Sequence, residues 1–329
     1  MSTLTTSATT SAPAGRFAQA LPVAIFLVFA LLPLLAMREG NGYLVSLGAR
    51  IMIFAIAAVA LDVLVGYAGL ISFGHAAFVG FGAYAVGILS AHGIADALIA
   101  LPAALLVSAL YAFLTGIVCL RTKGVYFIMI TLAFGQMAFF TASSLAPYGG
   151  DDGLTLAARS TLLGAPFMQD ERAFYYLVFV CLLGSYLLCR ALVASRFGRV
   201  LRGAKENTVR MAAIGFDVYR FQLVAYVITG TLAGLSGFLL ANATEFVSPA
   251  YMSWQRSGEL IVMVLLGGVG SLNGAIIGTA AYLLTEEWLS GFTENWKVIF
   301  GPVLVVVVLF ARGGLIGLVS EVARRRRHD

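Results

Sequence analysis

The stretch 221–243, FQLVAYVITGTLAGLSGFLLANA, contains no charged side chain. A helix needs about 20 apolar residues to cross about 30 Å of hydrocarbon, and in lipid only helices and closed barrels satisfy every backbone N–H and C=O. Barrel strands alternate apolar and polar positions, whereas this run is apolar almost throughout, so it reads as a membrane-spanning helix. Nine further runs repeat the pattern: 21–36, 47–65, 71–91, 94–120, 125–145, 173–193, 258–270, 275–289 and 298–311. The composition agrees, with 60% hydrophobic and 11% charged residues against roughly 25% charged in soluble domains. The chain is therefore an all-α integral membrane protein. The last three runs are shorter than the usual span, and 258–289 reads either as two short spans or as one re-entrant hairpin, which gives about 10 transmembrane helices, or 8 to 10.

Immediately before 221–243 lies the one long polar, basic segment between apolar blocks, 189–221, CRALVASRFGRVLRGAKENTVRMAAIGFDVYRF. Read as one helix from Arg199 to Ile214, it places Arg199, Arg202, Glu206 and Arg210 on one side and Leu201, Ala204, Thr208 and Met211 on another. Glu206 stands four residues before Arg210, the favourable order for a helical ion pair. Gly198 and Gly215 bracket the element as breaker and C-terminal stop. The segment is either a solvated loop whose arginines fix orientation or a docking helix for a partner. With the amino terminus in the cytosol, fifteen of the 21 lysines and arginines fall on the cytosolic side and six outside. That bias puts both termini in the cytosol, and Trp254, Trp288 and Trp296 then fall at the outer interface. Residues 1–18 read as a disordered tail, 19–315 as the permease domain with its cytosolic loop at 195–220, and 316–329 as a basic cytosolic tail. A signal peptide is disfavoured for the first run, since Arg16 is the only positive charge ahead of it and no small-residue cleavage site follows.

Two stretches are rich in glycine: 66–87, GYAGLISFGHAAFVGFGAYAVG, and 267–278, GGVGSLNGAIIG. Small residues let helices approach closely and break inside a membrane, which is where transporters build passages. The second to fifth spans start inward and the seventh to tenth start outward, as an inverted repeat requires, and the two stretches occupy matching places in the halves. The candidate translocation path is accordingly Gly69, Ser72, Gly74, His75, Gly268, Gly270 and Asn273.

Other chemistries find no footing. Gly274 follows Gly268-Val269-Gly270 one residue out of step with G-x-G-x-x-G, and no G-x-x-x-x-G-K-S/T occurs, so ATP hydrolysis by that machinery belongs to another chain. No metal pattern or Ser-His-acid arrangement emerges, and Cys119, Cys181 and Cys189 read as small apolar fillers. Asp62 is a charge inside the second span, where the default is a functional or paired role, although it lies near the inner end. His75 is either a ligand contact or a helix-packing polar group. Asp151 and Asp152, in the outer loop Gly149-Gly150-Asp151-Asp152-Gly153, either meet a partner or cap a turn. Glu245, Arg256, Glu259, Glu286 and Glu287 read as rim charges of the outer face.

The chain resembles the M-type permease subunits of branched-chain amino acid ATP-binding-cassette importers. The residues that carry this are 66–78, GYAGLISFGHAAF; 123–127, KGVYF; 131–135, TLAFG; Gly149-Gly150 with Gly153-Leu154-Thr155; Gly198-Arg199 leading to Ala212-Ala213-Ile214-Gly215; and 266–270, LGGVG. The resemblance implies that 199–215 is the coupling helix seated on the ATPase, with Met211 standing before Ala212-Ala213 where many importers have Glu. It implies a complex with a second homologous permease of the H type, two ATPase subunits that hold ATP and Mg, and an extracytoplasmic amino-acid-binding protein, in a bacterial inner membrane. It implies no cofactor on this chain and no nucleic-acid partner. Leucine, isoleucine and valine are the default substrates, with urea, short amides and aromatic acids served by close relatives. A stand-alone secondary transporter is the alternative class, but it calls for coupling carboxylates at mid-membrane, and this chain offers only Asp62.

Overall fold

The computed structural model describes residues 15–38, 42–162, 165, 167–292, 297–302, 304 and 313–317. The described chain is helical: α1 Gly15–Arg38, α2 Gly42–Asp62, α3 His75–Ala91, α4 Ala97–Cys119, α5 Val125–Ser144, α6 Glu171–Ala194, α7 Arg196–Glu206, α8 Thr208–Ala213, α9 Val218–Thr244, α10 Trp254–Gly267 and α11 Leu272–Ser290. A two-residue antiparallel ladder, β1 Leu154–Thr155 with β2 Phe246–Val247, ties the loop after α5 to the end of α9. Nine of the ten apolar runs coincide with described helices. Most of the tenth, 298–311, lies outside the described residues, as do 1–14 of the expected amino-terminal tail, most of the carboxyl-terminal tail and Trp296.

Among the described residues, α2 with its continuation to Tyr67, α4, α5, α6 and α9 are each long and apolar enough to cross a membrane alone. The helices α10 and α11 meet that test only together, as a pair bent by 115° across a short break. The third run, 71–91, becomes helical only at His75, because a π-helical turn, Val63–Tyr67, and an irregular segment intervene after α2. The protein is thus a polytopic all-α membrane protein with interrupted helices at both glycine-rich stretches.

The centre of the bundle is α2, apolar all round and buried from Ile51 through Asp62, as expected of a helix surrounded by others. Helix α9 packs against α3 and α4 through glycine. A Cβ at Gly82 would overlap the Gly234 carbonyl, and one at Gly237 would overlap the Val79 carbonyl. Hydroxyls bond across neighbouring contacts, Ser236 Oγ of α9 donating to Ile53 O of α2 at 2.8 Å and Ser108 Oγ of α4 to Phe78 O of α3 at 3.2 Å. Small residues and interhelical hydrogen bonds are the usual cement of helices in lipid, where apolar surface alone gives little preference for protein over acyl chain. Facing outward, α4 exposes Leu98, Leu106, Leu110 and Leu114, a pure aliphatic stripe suited to lipid. The three cysteines are free; Cys119 and Cys189 are buried.

Candidate functional site

The polar loop between α6 and α9 is built by two capping side chains. Ser195 ends α6 and starts α7, its hydroxyl accepting the N–H groups of Phe197 at 3.1 Å and Gly198 at 3.5 Å. Asn207 closes α7 in an extended conformation, φ −157° and ψ 101°, and its side chain accepts the Arg210 N–H at 2.9 Å to start α8. The single helix expected over 199–214 is therefore two, because Asn207 satisfies the free N–H groups of a new helix start. Gly198 lies inside α7 and not ahead of it, and a Cβ there would overlap the Val193 carbonyl. The split also separates Glu206 from Arg210, and no ion pair joins them. Gly215 does end α8, at φ +97°, the left-handed conformation that favours glycine.

Helix α7 turns Val200, Leu201 and Ala204 into the bundle. Arg199, Arg202, Glu206 and Arg210 are exposed, as are Ala212 and Gly215. Arg202 is folded back, donating to Gly198 O at 3.4 Å and Val193 O at 3.2 Å. Helix α8 buries nothing; Val209 is 76% and Ile214 64% exposed, with Phe216 beside them. Together they form a projecting apolar edge on a basic loop. The loop is moored to the bundle on either side of Asn207. Lys205 Nζ donates to Gly66 O at 2.7 Å, and Lys123 Nζ to Thr208 Oγ1 at 3.2 Å.

The two glycine-rich stretches meet. Asp62, fully buried at the end of α2, accepts the Gly270 N–H on Oδ1 at 2.7 Å, and Tyr67 OH donates to Gly270 O at 2.8 Å. One peptide unit on each side of Gly270 is thereby pinched by two side chains of the first stretch. A Cβ on Gly66 would come within 2.7 Å of Asp62 Oδ1, so the close approach requires glycine there. The other expected path residues have neighbours of their own, Gly69 facing the Lys205 side chain. Asn273 Oδ1 accepts the Tyr186 hydroxyl at 2.7 Å. Ser72 is buried, and its hydroxyl accepts the Gly74 N–H at 3.4 Å. Gly74 abuts the Thr131 carbonyl, and Gly268 abuts Gly313. His75 is fully buried, edge-on to Phe78 at 5.3 Å, with neither ring nitrogen hydrogen-bonded. Sequence reading singled out Asp62 but missed Tyr67, Lys205 and Asn207 as the groups that organise the region.

At the opposite end of the bundle the expected rim charges are paired: Arg256 with Glu259 at 2.7 Å, Lys297 with Glu259 at 3.1 Å, Arg159 with Glu245 at 3.4 Å, Arg50 with Glu286 at 3.8 Å, and Tyr43 with Glu287. Asp151 and Asp152 are exposed on a glycine turn and cap no helix among the described residues. A cavity of 350 Å³ opens between α3, α4 and α5, walled by Phe81, Tyr84, Ile88, Val107, Ala138 and Met252 among others. Its lining is apolar, and none of the seven expected path residues borders it. Among the described residues no group of three His, Cys, Asp or Glu is placed to hold a metal.

Comparison with known proteins bears on this arrangement directly. LivM of Salmonella typhimurium, a high-affinity branched-chain amino acid transport system permease protein, is 28% identical over 295 residues, covering 83% of this chain and 69% of that protein. LivM of Escherichia coli K12 is 27% identical over the same span and coverage. LivH of the same organism, a permease protein of the same named system, is 24% identical over 168 residues, 50% of this chain and 53% of that protein. No solved structure matches. The family described as branched-chain amino acid transport system / permease component matches residues 43–309, from the start of α2 past the end of α11, so the pinched glycine break and the basic loop both lie within it. This chain belongs to that family of membrane permeases.

Proposed function

We propose that this chain is the M-type permease subunit of an ATP-binding-cassette importer for branched-chain amino acids, set in a bacterial inner membrane with both termini in the cytosol. The observation that carries the reading is the family match along 43–309, joined by likeness to both M and H permeases. A second, H-type permease completes the membrane part. Two ATPase subunits, holding ATP and Mg, seat against loop 195–220 of the 19–315 permease domain, where Arg199, Arg202, Glu206, Arg210, Ala212 and Gly215 form the coupling surface. The exposure of that surface supports this reading, as does its apolar edge on α8. An extracytoplasmic binding protein delivers substrate at the far end, where Asp151 and Asp152 stand unpaired and exposed. The path follows the meeting of the two glycine-rich stretches at Gly69, Ser72, Gly74, His75, Gly268, Gly270 and Asn273. The chain itself hydrolyses nothing, binds no cofactor, and takes lipid and protein partners, not nucleic acid.

The test is reconstitution of this chain with an H-type permease, the ATPases and the binding protein in liposomes. Leucine uptake that requires ATP and every component is the expected result. Uptake by this chain alone, driven by an ion gradient, would overturn the reading in favour of a secondary transporter. Changing Val209 and Ile214 together to Asp should strip the ATPase from the purified complex, because about 1.5–3 kcal/mol is lost for each buried aliphatic side chain. Unchanged co-purification would remove α8 from the coupling surface.

A further inference from the structure

Asp62 and Tyr67 are five residues apart, and in an α-helix positions five apart point about 140° away from each other. The π-helical turn Val63–Tyr67 cancels that divergence and lets both side chains grip Gly270. π-helical turns are rare and are found frequently at functional sites. The same turn is held from its other side by the polar loop. Lys205 Nζ donates to the carbonyl of Gly66, inside the turn, at 2.7 Å, while the Arg202 guanidinium lies 6.0 Å from the Tyr67 ring. Gly270 in turn lies in the short break where α10 and α11 bend by 115°. One fully buried carboxylate oxygen, Asp62 Oδ2, has no donor, an arrangement that static packing does not favour.

We propose that Lys205 is the positioning residue that transmits movement of loop 195–220 to the α10–α11 break. The lysine holds the π turn, the turn fixes the spacing of Asp62 and Tyr67, and those two fix the peptides on either side of Gly270. Helix α8, on the far side of Asn207 and moored separately through Thr208 to Lys123, takes the partner's push, and α7 passes it inward. This rests on the importer reading, because it takes a moving ATPase as its input.

The experiment uses the assembled complex in lipid nanodiscs and two readouts. Amide hydrogen exchange over 270–272 reports the break itself; leucine moved per ATP hydrolysed reports coupling. Lys205→Met keeps the aliphatic stem and removes the charged donor, so both exchange and wasted ATP should rise about tenfold. Lys205→Arg, which restores a donor, should return both toward the parent. Tyr67→Phe removes only the hydroxyl on Gly270 O and should accelerate exchange without touching the loop, which keeps the link testable if Lys205→Met assembles poorly. Exchange at 270–272 unchanged in Lys205→Met overturns the role of Lys205, and exchange unchanged in Tyr67→Phe overturns the link from the turn to the break. A parent complex with no ATP-dependent uptake overturns the importer reading, and the exchange data still decide the linkage.

Discussion

At the scale of single residues, the permease is governed by a few positions where a backbone or carboxylate has one partner and no spare room. Asp62 was visible in the sequence because a charge inside an apolar run is expensive unless it does something. Its partner was not visible, because Gly270 lies 208 positions away and an amide carries no side-chain signature. The geometry separates two substitutions at this site. Asp62→Asn keeps an acceptor for the Gly270 N–H and removes a buried carboxyl with one unpaired oxygen, so it should leave thermal stability equal to or above the parent. Asp62→Ala strands the Gly270 N–H and should cost about 1–3 kcal/mol. Thermal unfolding of the detergent-solubilised protein checks this; equal melting of the parent and both variants would mean that the Asp62–Gly270 bond contributes nothing. Glycine gives a second contrast. Gly270 has φ +81° but a Cβ there would make only ordinary contact, the nearest atom being 3.7 Å away, so Gly270→Ala should cost only the backbone strain of about 1–2 kcal/mol. Gly74→Ala has no such strain, yet its Cβ would overlap the Thr131 carbonyl, and it should push α3 from α5 and lower stability further. Stability of Gly74→Ala at or above that of Gly270→Ala would contradict the close approach.

At the scale of elements, the sequence was a good guide where apolar length decides the outcome and a poor one where a cap does. The longer apolar runs became helices because hydrophobic continuity over about 20 residues leaves little alternative in lipid. The loop 195–220 is short and polar, so its shape is set by local hydrogen bonds. Its helical period continued through Asn207, and only the Asn side chain, a strong helix N-cap, signalled that one helix would become two. The signal was present in Glu206-Asn207-Thr208 and was outweighed by the arginine spacing. Helix α7 and the cap make distinguishable contributions. Asn207→Ala should loosen α8 by about 1 kcal/mol and leave α7 folded against the bundle through Leu201. Ala204→Pro removes a buried, hydrogen-bonded position within α7 and should cost about 3 kcal/mol of local helix stability, uncoupling ATP hydrolysis from uptake while the spans still insert. Uptake per ATP equal to the parent in Ala204→Pro would show that α7 need not be intact for coupling.

At the scale of the whole molecule, segments far apart in the chain are tied at one end by the Asp62–Gly270–Tyr67 pinch and at the other by the ladder of β1 with β2. The glycine content announced close helix approach but could not say which glycines face which, since that depends on the rotation of each helix in the assembled bundle. The far end carries the paired charges of α2, α10 and α11, and against that neutralised rim Asp151 and Asp152 stand out as an exposed acidic pair on the turn leading into β1. In the proposed orientation that turn faces the side from which a soluble binding protein arrives. Two exposed carboxylates there steer an encounter through lysine or arginine on the partner and add little to the fold. Exposed charges are screened beyond about 8–10 Å at physiological ionic strength, so their contribution fades as salt rises. Asp151→Asn combined with Asp152→Asn should therefore weaken stimulation of the complex by its binding protein at low salt, converge on the parent at high salt, and leave unstimulated ATP turnover unchanged throughout. Were the pair instead only a structural feature of the turn, stability and unstimulated turnover would fall together at every salt concentration. Stimulated and unstimulated ATPase rates across a salt series separate the two, and a stimulated rate equal to the parent at low salt would take the turn out of the docking surface.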